Sequence, residues 1–459
     1  MQRSLLWKIG LIGLVALLLQ VPVQMIRGLV AERQAARDGV LQDIARGTSH
    51  AQRIAGPVIY VPWTRESVET ITSTDQKDRE RTTKREKVET GYVALLPKDL
   101  VLDGAIELQP KHRGIYVSHV YTLTATLRGS FEIPAALEAP KGPGSLTWGP
   151  AMLVLGIQDT RGIRDKVTLS WDGAPVQFLP GSAETRDAPA GIHADLGMLA
   201  ASRLPATREF RVDLALLGTQ RLDIVPVGAQ TAVTLRSAWP HPSFVGGILP
   251  GSGTQVSADG FTAQWRTSQL ATNISQLQAR CLQAGRCDEL NQQTLGISFI
   301  QPVDLYQTVE RSVKYGFLFI LLTFAAFFLF EVLRRLAIHP VQYALVGVAL
   351  AVFFLLLISL SEHLGFARAY VIATIACVAL VGYYIGHSLR SWRRGAAFAA
   401  FLSGLYGLLY VILRQEDYAL LTGATLVFAC LALAMIATRR VDWYAISSGP
   451  APVAEGNPA

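Results

Sequence analysis

The feature that most constrains this chain is a block of five apolar runs in its last third. They cover residues 315–333, 341–360, 367–388, 395–413 and 419–438. A run of about 20 residues, at 1.5 Å per residue, crosses a hydrocarbon core about 30 Å thick. A sixth run lies at Leu5 to Ile26, where Gln20, Pro22 and Gln24 stand in place of the small-residue cleavage site of a signal peptide. The sequence therefore predicts an uncleaved signal-anchor helix within residues 1–27 and six membrane-spanning helices in all.

Basic residues near the ends of the runs predict which side of the membrane each loop occupies, because they are retained on the cytoplasmic side. One side holds Arg3, Lys8, Arg334, Arg335, Arg390, Arg393, Arg394, Arg439 and Arg440. The short loops of the other side hold only Arg368 and Arg414 as cations. Both termini are therefore predicted to be cytoplasmic, with residues 441–459 as a disordered tail. These arginines also account for much of the net charge of +7, which therefore does not indicate a nucleic-acid partner.

The same topology leaves residues 28–314 outside the inner membrane, which in a bacterium is the periplasm. Along Gly114–Leu127, apolar side chains alternate with serine and threonine, a pattern typical of a half-buried strand. Asp172-Gly173 follows another alternating run and indicates a hairpin turn. The predicted fold is thus a membrane bundle of six transmembrane helices, with a large β-rich, mainly antiparallel periplasmic domain inserted between the first and second helices. Recurrent turn residues favour a sandwich or a stack of two sheets.

Two local features of this middle region lead to separate predictions. Residues 64–90 carry evenly balanced acidic and basic side chains, which predicts a long exposed hairpin or a flexible insertion, with partner docking as a less favoured role. Cys281 and Cys287 would lie in the oxidising periplasm and are predicted to close a short disulfide loop, worth about 2 kcal/mol. The alternative is two reduced or differently paired thiols.

Polar residues near the apolar runs are the candidate site residues. Glu331 is predicted to form an anchoring ion pair with Arg335 at the cytoplasmic rim, with a proton relay as the alternative. Glu362 and His363 lie in one outward turn and Glu416 and Asp417 in another. These four residues either cap helices at a water boundary or form an acidic rim that binds a cation, a lipid head group or the β-rich domain. The spans contain no hydrolase motif and the chain no phosphate-binding loop, so we expect no enzyme activity, cofactor or metal.

Several long motifs together identify a family resemblance. They are FAAFFLFEV, IHPVQYALVG, LISLSEHLGFARAY, LYGLLYVILRQEDYALLTG and RRVDWY in the apolar block, with WPHPSFVGGILP and GFTAQW in the middle. These motifs resemble the CreD family of bacterial inner-membrane proteins. The resemblance implies a multi-pass protein of the inner membrane that acts in cell-envelope integrity or envelope stress, and it supplies no catalytic residues.

The favoured function is a non-enzymatic scaffold or interaction protein in the lipid bilayer, with envelope proteins or lipid head groups as partners. The alternative is a transporter or exporter of small toxic compounds or lipids. A transporter needs a polar pathway between its spans, and the scarcity of ionisable residues within the apolar runs favours the scaffold.

Overall fold

A computed structural model of the chain describes residues 2–74, 80–182, 190–199, 206–284, 287–299, 305–334, 338–414 and 419–439. The chain divides into two compact units. The β unit is Gly39–Pro302, and the helical unit combines Met1–Asp38 with Val303–Ala459. The β unit therefore begins and ends inside the interval 28–314 expected from hydropathy, because the flanking helices continue beyond their apolar stretches.

The β unit contains seventeen described strands in two sheets. The strands are β1 Gln52–Thr74, β2 Glu80–Leu95, β3 Asp99–Arg113, β4 Tyr116–Ile133, β5 Ser145–Trp148, β6 Ala151–Ile157, β7 Thr168–Trp171, β8 Ala174–Val176, β9 Leu179–Pro180, β10 Gly191–Gly197, β11 Ala206–Thr219, β12 Arg221–Val225, β13 Gln230–Ser237, β14 Ser243–Gly246, β15 Gln255–Ser257, β16 Gly260–Ser268 and β17 Leu295–Ser298.

The first sheet has the order β14-β17-β12-β1-β6-β10-β9, with β2 and β5 also paired to β1. The second has the order β15-β16-β13-β3-β4-β11-β7-β8. The pairs β1–β12 and β3–β13 are parallel, and the other described pairs are antiparallel. A single hydrophobic core takes residues from both sheets, including Tyr60, Leu123 and Trp265. The prediction of a large β-rich domain is confirmed.

The local strand patterns of the sequence have direct counterparts in the β unit. From Tyr121 to Leu127, every second residue of β4 is buried while the threonines between them are partly or fully exposed. Asp172 and Gly173 both have positive φ angles, 53° and 82°, and join β7 to β8. Two successive residues of positive φ are what a tight two-residue hairpin of this kind requires.

The charged segment 64–90 is a hairpin in the described structure. β1 and β2 pair continuously from Ile59–Leu95 to Thr74–Glu80, and residues 75–79 lie outside the described part. On its other edge β1 pairs with β5 only as far as Glu66. Beyond that residue the hairpin is a two-stranded arm, on which the valines Val68 and Val88 are each 61% exposed.

The described helices are α1 Gln2–Leu18, α2 Gln20–Gly47, α3 Gln269–Thr272, α4 Ile274–Ala284, α5 Asp288–Gln292, α6 Leu305–Arg334, α7 Pro340–Leu364, α8 Phe366–Ser388, α9 Trp392–Arg414 and α10 Ala419–Thr438. Five described helical stretches are long and apolar enough to cross a membrane, and the first of them is the N-terminal stretch Trp7–Gly47. α10 coincides with the last predicted run, residues 419–438, but is not among these five stretches. Six spans therefore stay a prediction.

The N-terminal helix is interrupted at Leu19, between α1 and α2. Pro22 has no N–H to donate to the carbonyl four residues earlier, at Leu18, and its ring crowds that carbonyl. The helical hydrogen bonds resume when the Val23 N–H donates to the Leu19 carbonyl at 3.4 Å. The break therefore has a specific cause in the sequence, which hydropathy alone does not reveal.

Candidate functional site

The residue Glu362 lies in the last turn of α7 and joins three helices of the helical unit. Its side chain is 10% exposed. The Tyr306 hydroxyl of α6 donates to Glu362 Oε1 at 3.1 Å, and the Arg33 Nε of α2 lies 3.9 Å from the same oxygen. Gly365 ends α7 with a φ of 77°, a conformation that favours glycine, and its N–H donates to the Ser361 carbonyl. We call Glu362, Tyr306 and Arg33 the Glu362 site.

Only part of the predicted rim lies within the described structure. His363 is exposed beside Glu362 in the same turn. Glu416 and Asp417 lie outside the described residues, so their proximity to Glu362 stays a prediction. The sequence patterns missed Tyr306 and Arg33. A tyrosine just before an apolar run is typical of a membrane boundary and could have indicated Tyr306, whereas nothing local to Arg33 relates it to residue 362.

The opposite end of the same helices carries a second buried carboxylate, Glu331, which is 7% exposed. Lys8 of α1 donates to Glu331 Oε1, the Tyr343 hydroxyl of α7 donates to Glu331 Oε2 at 2.8 Å, and the Ile338 N–H lies 3.3 Å from Glu331 Oε1. We call these four residues the Glu331 site. Arg335, the predicted partner, lies outside the described residues, so that pair stays a prediction. Among the described residues, the cation on Glu331 is Lys8.

The two sites are separated by a distance that matches a bilayer. From Tyr343 to Glu362, α7 rises by about 30 Å at 1.5 Å per residue, which is about the thickness of a hydrocarbon core. Each site takes residues from α6 and α7, and each adds a residue of the N-terminal helix, Lys8 or Arg33. The described geometry therefore places one polar joint at each end of the same helices.

Between these ends, aromatic rings fill the interior of the helical unit. Phe353, Tyr406 and Tyr343 are fully buried. The Tyr406 ring lies 4.5 Å from Phe353 and 4.6 Å from Phe319 between centroids, distances at which aromatic rings attract one another. The buried hydroxyls have partners, since Tyr370 donates to the Tyr406 carbonyl at 2.7 Å. These contacts make a packed core.

α8 and α9 approach closely through glycine. A Cβ on Gly395 would lie 2.7 Å from the Gly382 carbonyl oxygen and 2.7 Å from Gly386 Cα, both closer than real Cβ contacts. The G-x-x-x-G pattern of residues 382–386 is therefore a helix-packing motif, as its sequence indicates.

The β unit has a buried carboxylate of its own, Asp159, whose side chain is 10% exposed. Asp159 accepts hydrogen bonds from the backbone N–H of His50 at 3.0 Å and from Arg161 through Nε at 2.9 Å and Nη2 at 2.6 Å, and the His50 Nδ1 lies 3.0 Å from Asp159 Oδ2. The Arg161 side chain, with further bonds from His50, holds the pKa of this carboxyl well below its usual range, although partial burial acts in the opposite direction.

Cys281 and Cys287 form a disulfide in the structure, with the Cα atoms 4.5 Å apart. Cys281 is fully buried in α4 and belongs to the core shared by the two sheets, while Cys287 immediately precedes α5. The bond therefore joins α4 to the N-terminal end of α5. In the part of the chain that the structure describes, no group of three or more His, Cys, Asp or Glu residues is placed to hold a metal ion.

Comparison with known proteins shows the family. The profile of the family described as "Inner membrane protein CreD" matches residues 4–444. A protein of Escherichia coli (strain K12) with the same description is 33% identical over 451 residues, which cover 97% of this chain and 95% of that protein. With its set of membrane-length apolar helices and its large β-rich domain, the chain belongs to the CreD family of inner membrane proteins.

Proposed function

We propose that this protein is a scaffold of the inner membrane that maintains cell-envelope integrity, without chemistry of its own. The observation that carries the proposal is what the buried carboxylates do at the two ends of the helical unit. Glu331 and Glu362 each bind donors from neighbouring helices, as expected of structural joints. A transport pathway would instead need ionisable groups that face a polar passage. The aromatic core between the two sites is consistent with a closed bundle.

The proposal includes an orientation, with six spans, both termini in the cytoplasm and the β unit in the periplasm. The arginine distribution supports it, since Arg390, Arg393 and Arg394 lie together at the α8–α9 turn, as expected of a cytoplasmic loop. The Cys281–Cys287 disulfide supports it independently, because such bonds persist in an oxidising compartment. In this orientation the Glu362 site faces the periplasmic side, where His363 is available to envelope proteins or lipid head groups.

Cysteine labelling tests the orientation. We expect a cysteine introduced at Leu364 to react with a membrane-impermeant maleimide added to intact spheroplasts, and one at Trp392 to react only after lysis. Both positions are exposed. Outside the disulfide the sequence has two cysteines, Cys377 and Cys430, and both are replaced by alanine in the background. The reverse labelling pattern would exclude a periplasmic β unit.

Two measurements on one variant pair test the scaffold role. In cells lacking the native protein, we expect wild-type complementation to restore resistance to a bile-salt detergent, and Glu362→Ala to restore it only in part. In vesicles containing only the purified protein, we expect no flux of lipid or small cationic dyes. Flux that depends on the protein and disappears in Glu362→Ala would contradict the scaffold and support an exporter.

A further inference from the structure

A cavity of about 900 Å³ lies in the β unit, between a strand and a helix. One wall is the consecutive stretch from Thr90 to Leu96, which is the end of β2 and the residue after it. The facing wall is α4, through Ser275, Gln278, Ala279 and Leu282, which share one helical face. Because alternate residues of a strand point to opposite faces, a cavity lined by consecutive residues runs along the edge of the strand.

The register shows which backbone groups of β2 face the cavity. Pro62 of β1 is opposite Tyr92 of β2. The Pro62 carbonyl accepts a hydrogen bond from the Gly149 N–H, which lies on the side of β1 away from β2. Pro62 and Tyr92 are therefore a pair without hydrogen bonds between them. Hydrogen-bonded and non-bonded pairs alternate along an antiparallel ladder, so Thr90 and Ala94, two positions to either side of Tyr92, are also in non-bonded pairs with β1. Their N–H and C=O groups point away from β1, toward the cavity.

The sequence of β2 changes where it reaches the cavity. From Glu80 to Glu89 the strand reads ERTTKREKVE, and from Thr90 to Leu96 it reads TGYVALL with no charged residue. Natural proteins protect exposed strand edges with charge, which prevents unwanted pairing. The arm follows that rule, whereas the edge inside the cavity has no charge and is accessible only to a chain that fits between β2 and α4.

The walls are held in place before any ligand arrives. Gln278 of α4 donates to the Tyr60 hydroxyl at 2.8 Å, and the Cys281–Cys287 disulfide fixes the end of the same helix. The loop of residues 138–141 closes a third side, where Arg65, only 6% exposed, donates to the Pro140 carbonyl. A preformed site loses less conformational entropy on binding.

Charge distinguishes between the possible ligands. The charged residues that line the cavity are Glu132, Glu138 and Lys141, and Glu132 is paired with Lys98 at 2.6 Å. This lining is nearly neutral, so it suits neither a polyanion nor a charged lipid head group. A peptide backbone in extended form is neutral and matches the alternating donors and acceptors of a strand edge, as in PDZ and PTB domains.

We infer that the cavity between β2 and α4 binds an extended, uncharged peptide segment of a partner protein, which adds as a strand to the Thr90–Ala94 edge. The seven residues from Thr90 to Leu96 span about 23 Å, enough to pair with about seven residues of a partner. The inference goes beyond the scaffold role proposed for the helical unit, and its test is independent of that role.

The test uses the full-length protein in lipid nanodiscs and a pool of capped, uncharged heptapeptides with randomised side chains. We expect selection to enrich peptides that slow amide hydrogen exchange across residues 88–96. N-methylation of alternate residues in an enriched peptide removes its donors without altering the protein, and it should weaken binding by about tenfold or more.

A matched pair of proline variants locates the binding edge. Thr90→Pro removes an N–H that faces the cavity but leaves the β1–β2 hydrogen bonds intact, so we expect about a tenfold loss of peptide binding. Glu86→Pro removes an N–H of the same orientation on the arm, outside the cavity, and should bind normally. The inference is overturned if no peptide is enriched, if N-methylated peptides bind equally, or if the cavity binds lauric acid and the exchange at residues 88–96 is unchanged by peptide.

Discussion

The two units of this protein hold distant parts of the chain together by different means. In the β unit, backbone ladders do so directly, as where β1 pairs with β12, more than 160 residues later in register at Gln52–Leu222. In the helical unit each helix satisfies its own backbone, so side chains must make the connections between helices. Asp159 accepts bonds within a unit already held by ladders, whereas Glu331 connects Lys8 to α6 across 323 residues. The loss of one ion pair should therefore matter more in the helical unit.

The largest effect is expected from Lys8→Met. It leaves the Glu331 carboxylate buried without the cation that the described structure gives it, and breaking a buried pair on one side costs about 3 kcal/mol. We expect the free energy of unfolding of the helical unit, measured by SDS titration in mixed micelles, to fall by about that amount.

The control for this variant is Lys314→Met. Lys314 pairs with Glu310 at 3.5 Å on an exposed surface, and the loss should stay below about 0.5 kcal/mol. The double variant Lys8→Met with Glu331→Gln removes both charges and should recover part of the stability. If Lys8→Met is as stable as the wild type, the contrast between the units is wrong.

The same contrast explains what could be predicted from sequence. Hydropathy located the helices α6 to α9 to within a turn or so at most ends, because a membrane-length apolar run is a local signal. Alternation located β4 and the hairpin turn at Asp172-Gly173 for the same reason. The pairing of β1 with β12 depends on which distant surfaces fit, and no local pattern contains that information.

The residues of the candidate sites also divide into those that a local pattern could predict and those that depend on distant parts of the chain. Charge and helical spacing predicted that Glu331 pairs with Arg335, because local spacing can only suggest a partner on the same helix. Lys8 lies 323 residues away. Glu362 was predicted in an outward turn at the end of an apolar run, and its contact with Tyr306 depends on how the helices assemble.

A second prediction tests the carboxylate of the β unit. Asp159→Asn keeps the shape of the side chain but loses the charge that Arg161 and His50 bind, and we expect a loss of about 2 kcal/mol, smaller than that of Lys8→Met. The variant Asp103→Asn, whose carboxylate lies 3.4 Å from Arg128 on the surface, should lose less than about 0.5 kcal/mol.

Acid sensitivity gives a separate measure of Asp159. The folded state lowers the pKa of this carboxyl, so its contribution to stability is complete above the unfolded pKa of about 4 and is lost as pH falls through the lower folded value. We expect the melting temperature of the β unit to fall more steeply below pH 4 in the wild type than in Asp159→Asn. If the melting temperatures of the two proteins fall in parallel as pH decreases, Asp159 does not contribute to the acid sensitivity.

The third prediction concerns the disulfide, which adds a covalent connection to the unit that already has ladders. Replacing Cys281 and Cys287 together by alanine reopens a short loop, and the chain-entropy estimate is about 2 kcal/mol. We expect circular dichroism to show a lower melting temperature for the β unit, and a reductant to reproduce the shift in the wild type but not in the double variant. A reductant effect that persists in the double variant would mean that the bond is not its cause.

The smallest loss of stability is expected at the Glu362 site, because its cation, Arg33, interacts only weakly with the carboxylate. Arg33 lies 3.9 Å from Glu362 Oε1 and is half exposed, so the neutral bond from Tyr306 at 3.1 Å carries most of the interaction. Glu362→Gln keeps an acceptor for Tyr306 and should lose less than about 1 kcal/mol, whereas Glu362→Ala should lose more. Tyr306→Phe should lower the free energy of unfolding about as much as Glu362→Ala does. The double variant should lose little more than either single variant, because both changes remove the same hydrogen bond. If Glu362→Gln instead destabilises the helical unit as much as Lys8→Met does, the charge of Glu362 matters for stability, and the two ends of the bundle are equivalent.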